Sequence, residues 1–157
     1  MNEEKNSVQK MAEIMALLFY HISKEVIDTF GEEGEKALER AIEKFGSERG
    51  ENIRKDVLSR GLPLTLENLS KYYDMPLKEA WKSKGQVDDR TYYSEVTFCP
   101  FAKVWKEKNA EEIGLIYCEQ DVALMKAYNP NVEFKRPKNV LKGDEVCLFD
   151  VRLKTKN

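Results

Sequence analysis

Histidine occurs once in this chain, at position 21, and cysteine three times, at 99, 118 and 147. An odd number of widely spaced cysteines is unlike a secreted disulfide framework, and reduced thiols fit the cytosol. There is no Gly-rich phosphate loop, no GxSxG elbow, no HExxH and no CxxC pair, which removes most of the usual nucleotide, hydrolase and structural zinc readings. Positive charge is not in excess either. Lys and Arg number 26 against 28 Asp and Glu, so nothing points to nucleic acid. Long apolar runs are missing as well: Ile14 to Tyr20 is far short of a membrane span and follows a mixed-charge start without signal-peptide organisation. A cytoplasmic protein with no membrane segment is the expectation.

What remains is a chain of 157 residues, 41% hydrophobic and 34% charged, a length and balance suited to one globular domain with a real core. Its first part, residues 1–61, reads as helical. Val8, Met11, Met15, Leu18, Ile22 and Val26 recur every three or four residues up to a stop at Gly31. That stripe packs either into the protein's own core or against a second copy, so a homodimer is one expectation. A second stripe, Ala37, Leu38, Ala41, Ile42, Phe45, Ile53 and Val57, ends near Gly61, with a bend expected at Gly46 and Gly50. Residues 62–90 form a connecting region with short helices after Thr65 and over Pro76 to Trp81.

From Thr91 the period becomes two, which marks a half-buried strand running to Cys99. Pro100 then opens a helix. Another helix is expected from about Gly114 to Tyr128, closed by Asn129-Pro130. Two strand-like runs, Val132 to Arg136 and Glu145 to Leu153, make a hairpin that can pair with the earlier strand. The fold expected is α+β: long N-terminal helices, then a small antiparallel sheet with helices packed on one face, residues 91–157 carrying the cysteines.

The stretch from Phe98 to Asp121 concentrates the chemistry. Cys99 falls at a helix N-cap, where free N–H groups and the helix dipole favour a thiolate. Cys118 and Asp121, three residues apart on one expected helix, would face the same space. A free cysteine is also a well-packed small hydrophobe, so inert burial is the competing reading. His21, on a helix flank, suits acid–base work only if that helix packs over the cysteines.

Cys99-Pro100-Phe101-Ala102, Tyr117-Cys118-x-x-Asp121, Tyr128-Asn129-Pro130, Gly143-Asp144-x-x-Cys147-x-Phe149 and the upstream Phe30-Gly31-Glu32-Glu33-Gly34 together resemble the L-2-amino-thiazoline-4-carboxylic acid hydrolase family. The resemblance implies hydrolytic opening of a 2-aminothiazoline-carboxylate ring to an N-carbamoyl-cysteine product. Cys118, Asp121, Cys99 and Cys147 are the candidate catalytic residues. Tyr117, Asn129 and Asp144 of these motifs, with His21, are candidate substrate contacts. In one mechanism a thiolate of Cys118 or Cys99 adds to the amidine-like carbon and Asp121 holds the amidine nitrogen and activates water. In another, Cys99, Cys118 and Cys147 hold Zn²⁺, with Asp121 or His21 as a further ligand. A different class of function stays open, since the pattern is also similar to the 4-vinyl reductase type of ligand-binding domain, a sensor or carrier without turnover.

Overall fold

The computed structural model describes residues 5–154. Helix α1 (Ser7–Phe30) is started by Asn6, whose side chain accepts the Gln9 N–H at 2.8 Å. It ends at Gly31, where φ is +60°. Helix α2 (Glu32–Ser59) follows at once, and Glu32, Glu33 and Glu35 complement its N-terminal dipole.

The bend expected at Gly46 and Gly50 is absent; α2 is continuous through both. Those glycines serve packing instead. A Cβ at position 46 would stand 2.3 Å from the Gln120 carbonyl oxygen, and one at position 50 would stand 2.2 Å from that of Leu124. Helix α7 (Gln120–Tyr128) thus lies directly on the backbone of α2.

The face that α1 turns inward also differs from its apolar stripe. Ala12, Ala16 and Ser23 are the buried residues of α1, while Met11, Ile14, Met15, Leu18 and Ile22 are exposed. Small side chains are required there because Trp105 reaches across to donate from Nε1 to the Ala16 carbonyl at 3.0 Å. Phe19 completes the seam, edge-on to Trp105 and Tyr117 with ring centroids 6.1 and 5.2 Å apart.

The connecting region contains α3 (Leu66–Lys71), capped by Thr65, and the single turn α4 (Leu77–Ala80). It also contains a strand, β1 (Lys82–Val87), that carries no alternating apolar signal because every residue in it is exposed. Backbone pairing to β2 (Thr91–Phe98) holds it at the sheet edge. Helices α5 (Pro100–Glu107) and α6 (Glu111–Cys118) follow, then α7, β3 (Val132–Lys138), a 3-10 turn (Val140–Lys142) and β4 (Cys147–Leu153). The strands run antiparallel in the order β1-β2-β4-β3.

This is an α+β fold with the helices on one face of the sheet. The inner face carries Tyr92, Ser94 and Val96 of β2, paired in register with Val151, Phe149 and Cys147 of β4. Val57 of α2, Leu66, Leu124, Tyr128 and Val151 are wholly buried between helices and sheet. Among the described residues, no helix is long and apolar enough to cross a membrane.

Candidate functional site

Between the inner face of the sheet and the helices lies a cavity of ≈ 170 Å³. Its floor is Ser94, Val96, Cys147 and Phe149 from β2 and β4; Cys99 and Phe101 close one side, and Cys118, Asp121 and Arg136 the other. Tyr73, Met75 and Trp81 of the connecting region cover it. The chain brings three thiols, a carboxylate and a guanidinium to one enclosure from five segments.

Cys99 caps α5 as its sequence position foretells: the Ala102 N–H donates to Sγ at 3.5 Å. The expected activation does not follow. Burial pushes the Cys99 thiol up to about 11, outweighing the lowering by the Ala102 N–H and Trp81. Burial pushes Cys118 further, to about 12, against the pull of Arg136. Cys147 is also raised by burial, although the Val140 N–H donates to its sulfur at 3.4 Å. All three stay protonated near neutrality in the free protein.

Cys118 and Asp121 do not share one helix. The helix expected over 114–128 is two, α6 ending at Cys118 and α7 starting at Gln120, with Glu119 between them. The break still aims both residues at the cavity. Asp121 accepts from Gln120 Nε2 through one oxygen and from Arg136 Nη2 at 3.0 Å through the other. Burial raises its proton affinity, and the attraction of Arg136 and Arg49 only partly offsets this.

Arg136, which sequence reasoning left in a strand without a role, is central. Its Nη2 also donates to the Cys118 carbonyl at 2.7 Å, and its guanidinium lies 5.1 and 5.4 Å from the ring centroids of Phe134 and Phe149. Its Nε is buried without a partner. Tyr117 Oη and Asn139 Nδ2 share that condition, and both residues line the same cavity. Buried polar groups are normally hydrogen-bonded. Three unpartnered ones belong to residues around this single cavity and are donors available to a polar ligand.

Behind Asp121 runs a chain of bonds to the covering segment. Gln120 accepts from Arg49 Nη1, and Arg49 grips Asp74 with Nε at 2.9 Å and Nη2 at 2.6 Å. Arg49 is buried in α2 and its charged state is reinforced by Asp74 and Tyr73 against the cost of burial. Neither Arg49 nor Gln120 stands out in the sequence, because a cation in a Glu- and Lys-rich helix reads as solvated surface.

The other candidates fall elsewhere. His21 is exposed on α1, edge-on to Tyr20 with ring centroids 4.9 Å apart, and does not line the cavity. Asn129 is buried and spends its side chain on the Leu64 carbonyl and the Asn131 N–H, both at 3.0 Å. Asp144 accepts the Asn139 N–H at 2.8 Å and so fixes the turn that presents Asn139 to the cavity. Among the described residues, no three His, Cys, Asp or Glu side chains come together closely enough to hold a metal ion. The thiols line one cavity without forming a Zn²⁺ ligand set.

The family model described as L-2-amino-thiazoline-4-carboxylic acid hydrolase matches residues 11–151. No curated protein sequence matches the chain. A solved structure of trafficking protein particle complex subunit 3 from Naegleria fowleri, covalently bound to palmitic acid, has a similar fold: TM-score 0.55 at 16% identity, covering 92% of this chain and 95% of that one.

Proposed function

The chain belongs to the L-2-amino-thiazoline-4-carboxylic acid hydrolase family, and on that premise we propose that its cavity hydrolyses a 2-aminothiazoline-carboxylate ring to an N-carbamoyl-cysteine product. The observation that carries the proposal is the ion pair in the cavity wall, Arg136 and Asp121 at 3.0 Å, beside an unpartnered Arg136 Nε. Such a substrate is a zwitterion, with an amidinium at one end and a carboxylate at the other. Arg136 and Asp121 offer the opposite charges side by side.

In this reading Arg136 Nε binds the carboxylate, helped by Tyr117 Oη, and Asp121 holds the amidinium nitrogen. Cys118 adds to the amidine carbon and the ring C–S bond breaks as its sulfur takes a proton; water then adds to the same carbon, the bond to Cys118 breaks, and the carbamoyl product and the Cys118 thiol are released. The high thiol pKa of about 12 in the free site means that ionisation awaits the substrate, whose cationic amidine stabilises the thiolate. Asp121, with its raised proton affinity, serves as the base that accepts the thiol proton and later directs water. Cys99 and Cys147 pack the floor and side of the ring pocket.

Size supports a small ring. An apolar cavity of about 150 Å³ takes up benzene, and the ≈ 170 Å³ here suits a five-membered ring with one carboxylate. A long acyl chain like that in the Naegleria protein needs far more room. A second reading, small-molecule binding without turnover, draws support from the protonated thiols and the largely apolar surroundings of Leu69, Met75, Trp81 and Phe101. Three free cysteines fit a reducing, cytoplasmic setting for either activity.

The test is to incubate reduced protein with excess L-2-amino-thiazoline-4-carboxylate and follow N-carbamoylcysteine by mass spectrometry, with and without chelator. Many turnovers that survive chelation support the thiol mechanism. Turnover lost with the metal rejects it. Saturable binding without product selects the second reading.

A further inference from the structure

The exposed face of α1 is the largest feature that the cavity leaves unexplained. Met11, Ile14, Leu18 and Ile22 are 65%, 58%, 59% and 52% exposed, with Met15 beside them. Their spacing of three and four residues sets them in one row along about 16 Å of helix. Contiguous apolar patches of this kind mark interaction surfaces. The row belongs to one capped helix whose other face is already consumed by Trp105 and Phe19.

The charges beside the row choose the occupant. On the flank of the stripe Lys10 stands near the helix N-terminus, whereas Glu25 and Asp28 stand near its C-terminus, all three exposed. Lys24, the basic residue at that end, is already paired with Asp28 at 2.7 Å, leaving the C-terminal half acidic on balance. When two copies of one helix pack antiparallel about a two-fold axis, the same flank of each meets the other in reversed direction. With the axis near Leu18, Leu18 meets Leu18 of the second copy and Ile14 meets its Ile22. Lys10 then comes within one turn of the second copy's Glu25 and Asp28. A parallel pairing, whose two-fold axis runs along the helices, would set this flank against the opposite flank of the second copy, where Lys10 meets no acid.

We propose that this face of α1 docks on a second copy of the chain, as an antiparallel, self-complementary helix pair centred on Leu18. No residue of α1 lines the cavity, so the pairing and the chemistry are independent.

Sedimentation equilibrium of the full chain across the micromolar range tests this. The expected result is a monomer–dimer equilibrium reaching twice 18.3 kDa. Leu18→Glu and Ile22→Glu should each weaken it at least a hundredfold while leaving the far-ultraviolet spectrum, and the melting of dilute monomer, unchanged, since both side chains face water in the single chain. Lys10→Glu should weaken it, and adding Glu25→Lys and Asp28→Lys to the same chain should restore it. Mixed Ile14→Cys and Ile22→Cys chains should cross-link to one another in preference to themselves. A protein that stays monomeric at 200 micromolar overturns the proposal. So does a dimer indifferent to Leu18→Glu, a preference for Ile14→Cys self-linking, or a monomer that instead sediments with lipid vesicles through the same residues.

Discussion

Arg136, a residue of the cavity lining, holds Asp121 by a single 3.0 Å bond from Nη2 and leaves its Nε without a partner. The pairing is incomplete by design of the backbone: the same Nη2 is shared with the Cys118 carbonyl, and Asp121's other oxygen is engaged by Gln120. Each charge therefore retains bonding capacity that a zwitterionic ligand can fill.

Replacing Arg136 by Met tests that capacity. Losing a charged hydrogen bond costs about 1.5–3 kcal/mol, so kcat/KM should fall roughly ten- to a hundredfold, chiefly through KM. The folded state should suffer too, because Asp121, half-buried, is left with one cationic partner fewer; breaking a fully buried pair costs about 3–5 kcal/mol, which sets the upper bound here. Adding Asp121→Asn should return most of the lost melting temperature and none of the activity. A double-mutant cycle by thermal melting and steady-state kinetics separates the two effects.

Thiol reactivity gives a second test. With Cys99 and Cys118 pushed up to about 11 and about 12 by burial, the thiolate fraction at neutral pH is minute. Alkylation by iodoacetamide should be far slower than for an ordinary thiol of pKa about 8.5 and should rise tenfold per pH unit through pH 9. Peptide-level mass spectrometry assigns the rate to each cysteine. Rapid labelling of Cys118 at pH 7 would contradict the protonated resting state.

The architecture was largely legible from period and punctuation. Asn129-Pro130, Thr65, Pro100 and the Gly31 stop mark helix ends where the structure has them, and the hairpin of β3 and β4 follows from its alternating residues. What sequence pattern misread shares one cause: tertiary contact overrode local preference. Gly46 and Gly50 read as breaks because a glycine's value in close helix packing depends on Gln120 and Leu124, more than seventy residues away. The row of α1 stays open in the sequence between core and interface, because apolar spacing carries no information on which face is covered, and here Ala12 and Ala16 make way for Trp105. β1 is invisible because an exposed edge needs only backbone partners. In the site, the cysteines and Asp121 are visible as rare or paired types. Arg136 and Arg49 are not, since only burial distinguishes a working guanidinium from a solvated one.

The glycine contacts make a direct stability prediction. In Gly46→Ala or Gly50→Ala, the new Cβ meets backbone oxygen at 2.3 or 2.2 Å, which no rotamer change relieves. Helix propensity favours alanine by about 1 kcal/mol, yet overpacking costs about 1–3 kcal/mol or more. The net effect should be a fall in melting temperature of several degrees for either variant, measurable by calorimetry. Because α7 begins beside Asp121, Gly46→Ala should also lower activity, whereas Gly50→Ala, one turn further from the cavity, should spare it more. Stabilisation by either alanine would mean that α2 and α7 are not in contact there.

Asp121 itself offers the sharpest separation of function from stability. Burial raises its proton affinity in the folded protein despite Arg136 and Arg49, so the carboxylate is less favourable there than in the unfolded chain. A carboxyl raised in this way contributes stability fully below its unfolded value, about 3.9, and loses that contribution as pH rises through the folded value. Asp121→Asn does not titrate and still accepts a bond from Arg136. Its melting temperature should therefore approach that of the unaltered protein at low pH and exceed it at pH 7, while turnover falls to the background. Melting curves from pH 4 to 8 on both proteins provide the check. A variant destabilised at pH 7 would mean that the Arg136 pairing outweighs burial and that Asp121 sits ionised without strain, which would remove the reason for assigning it the base.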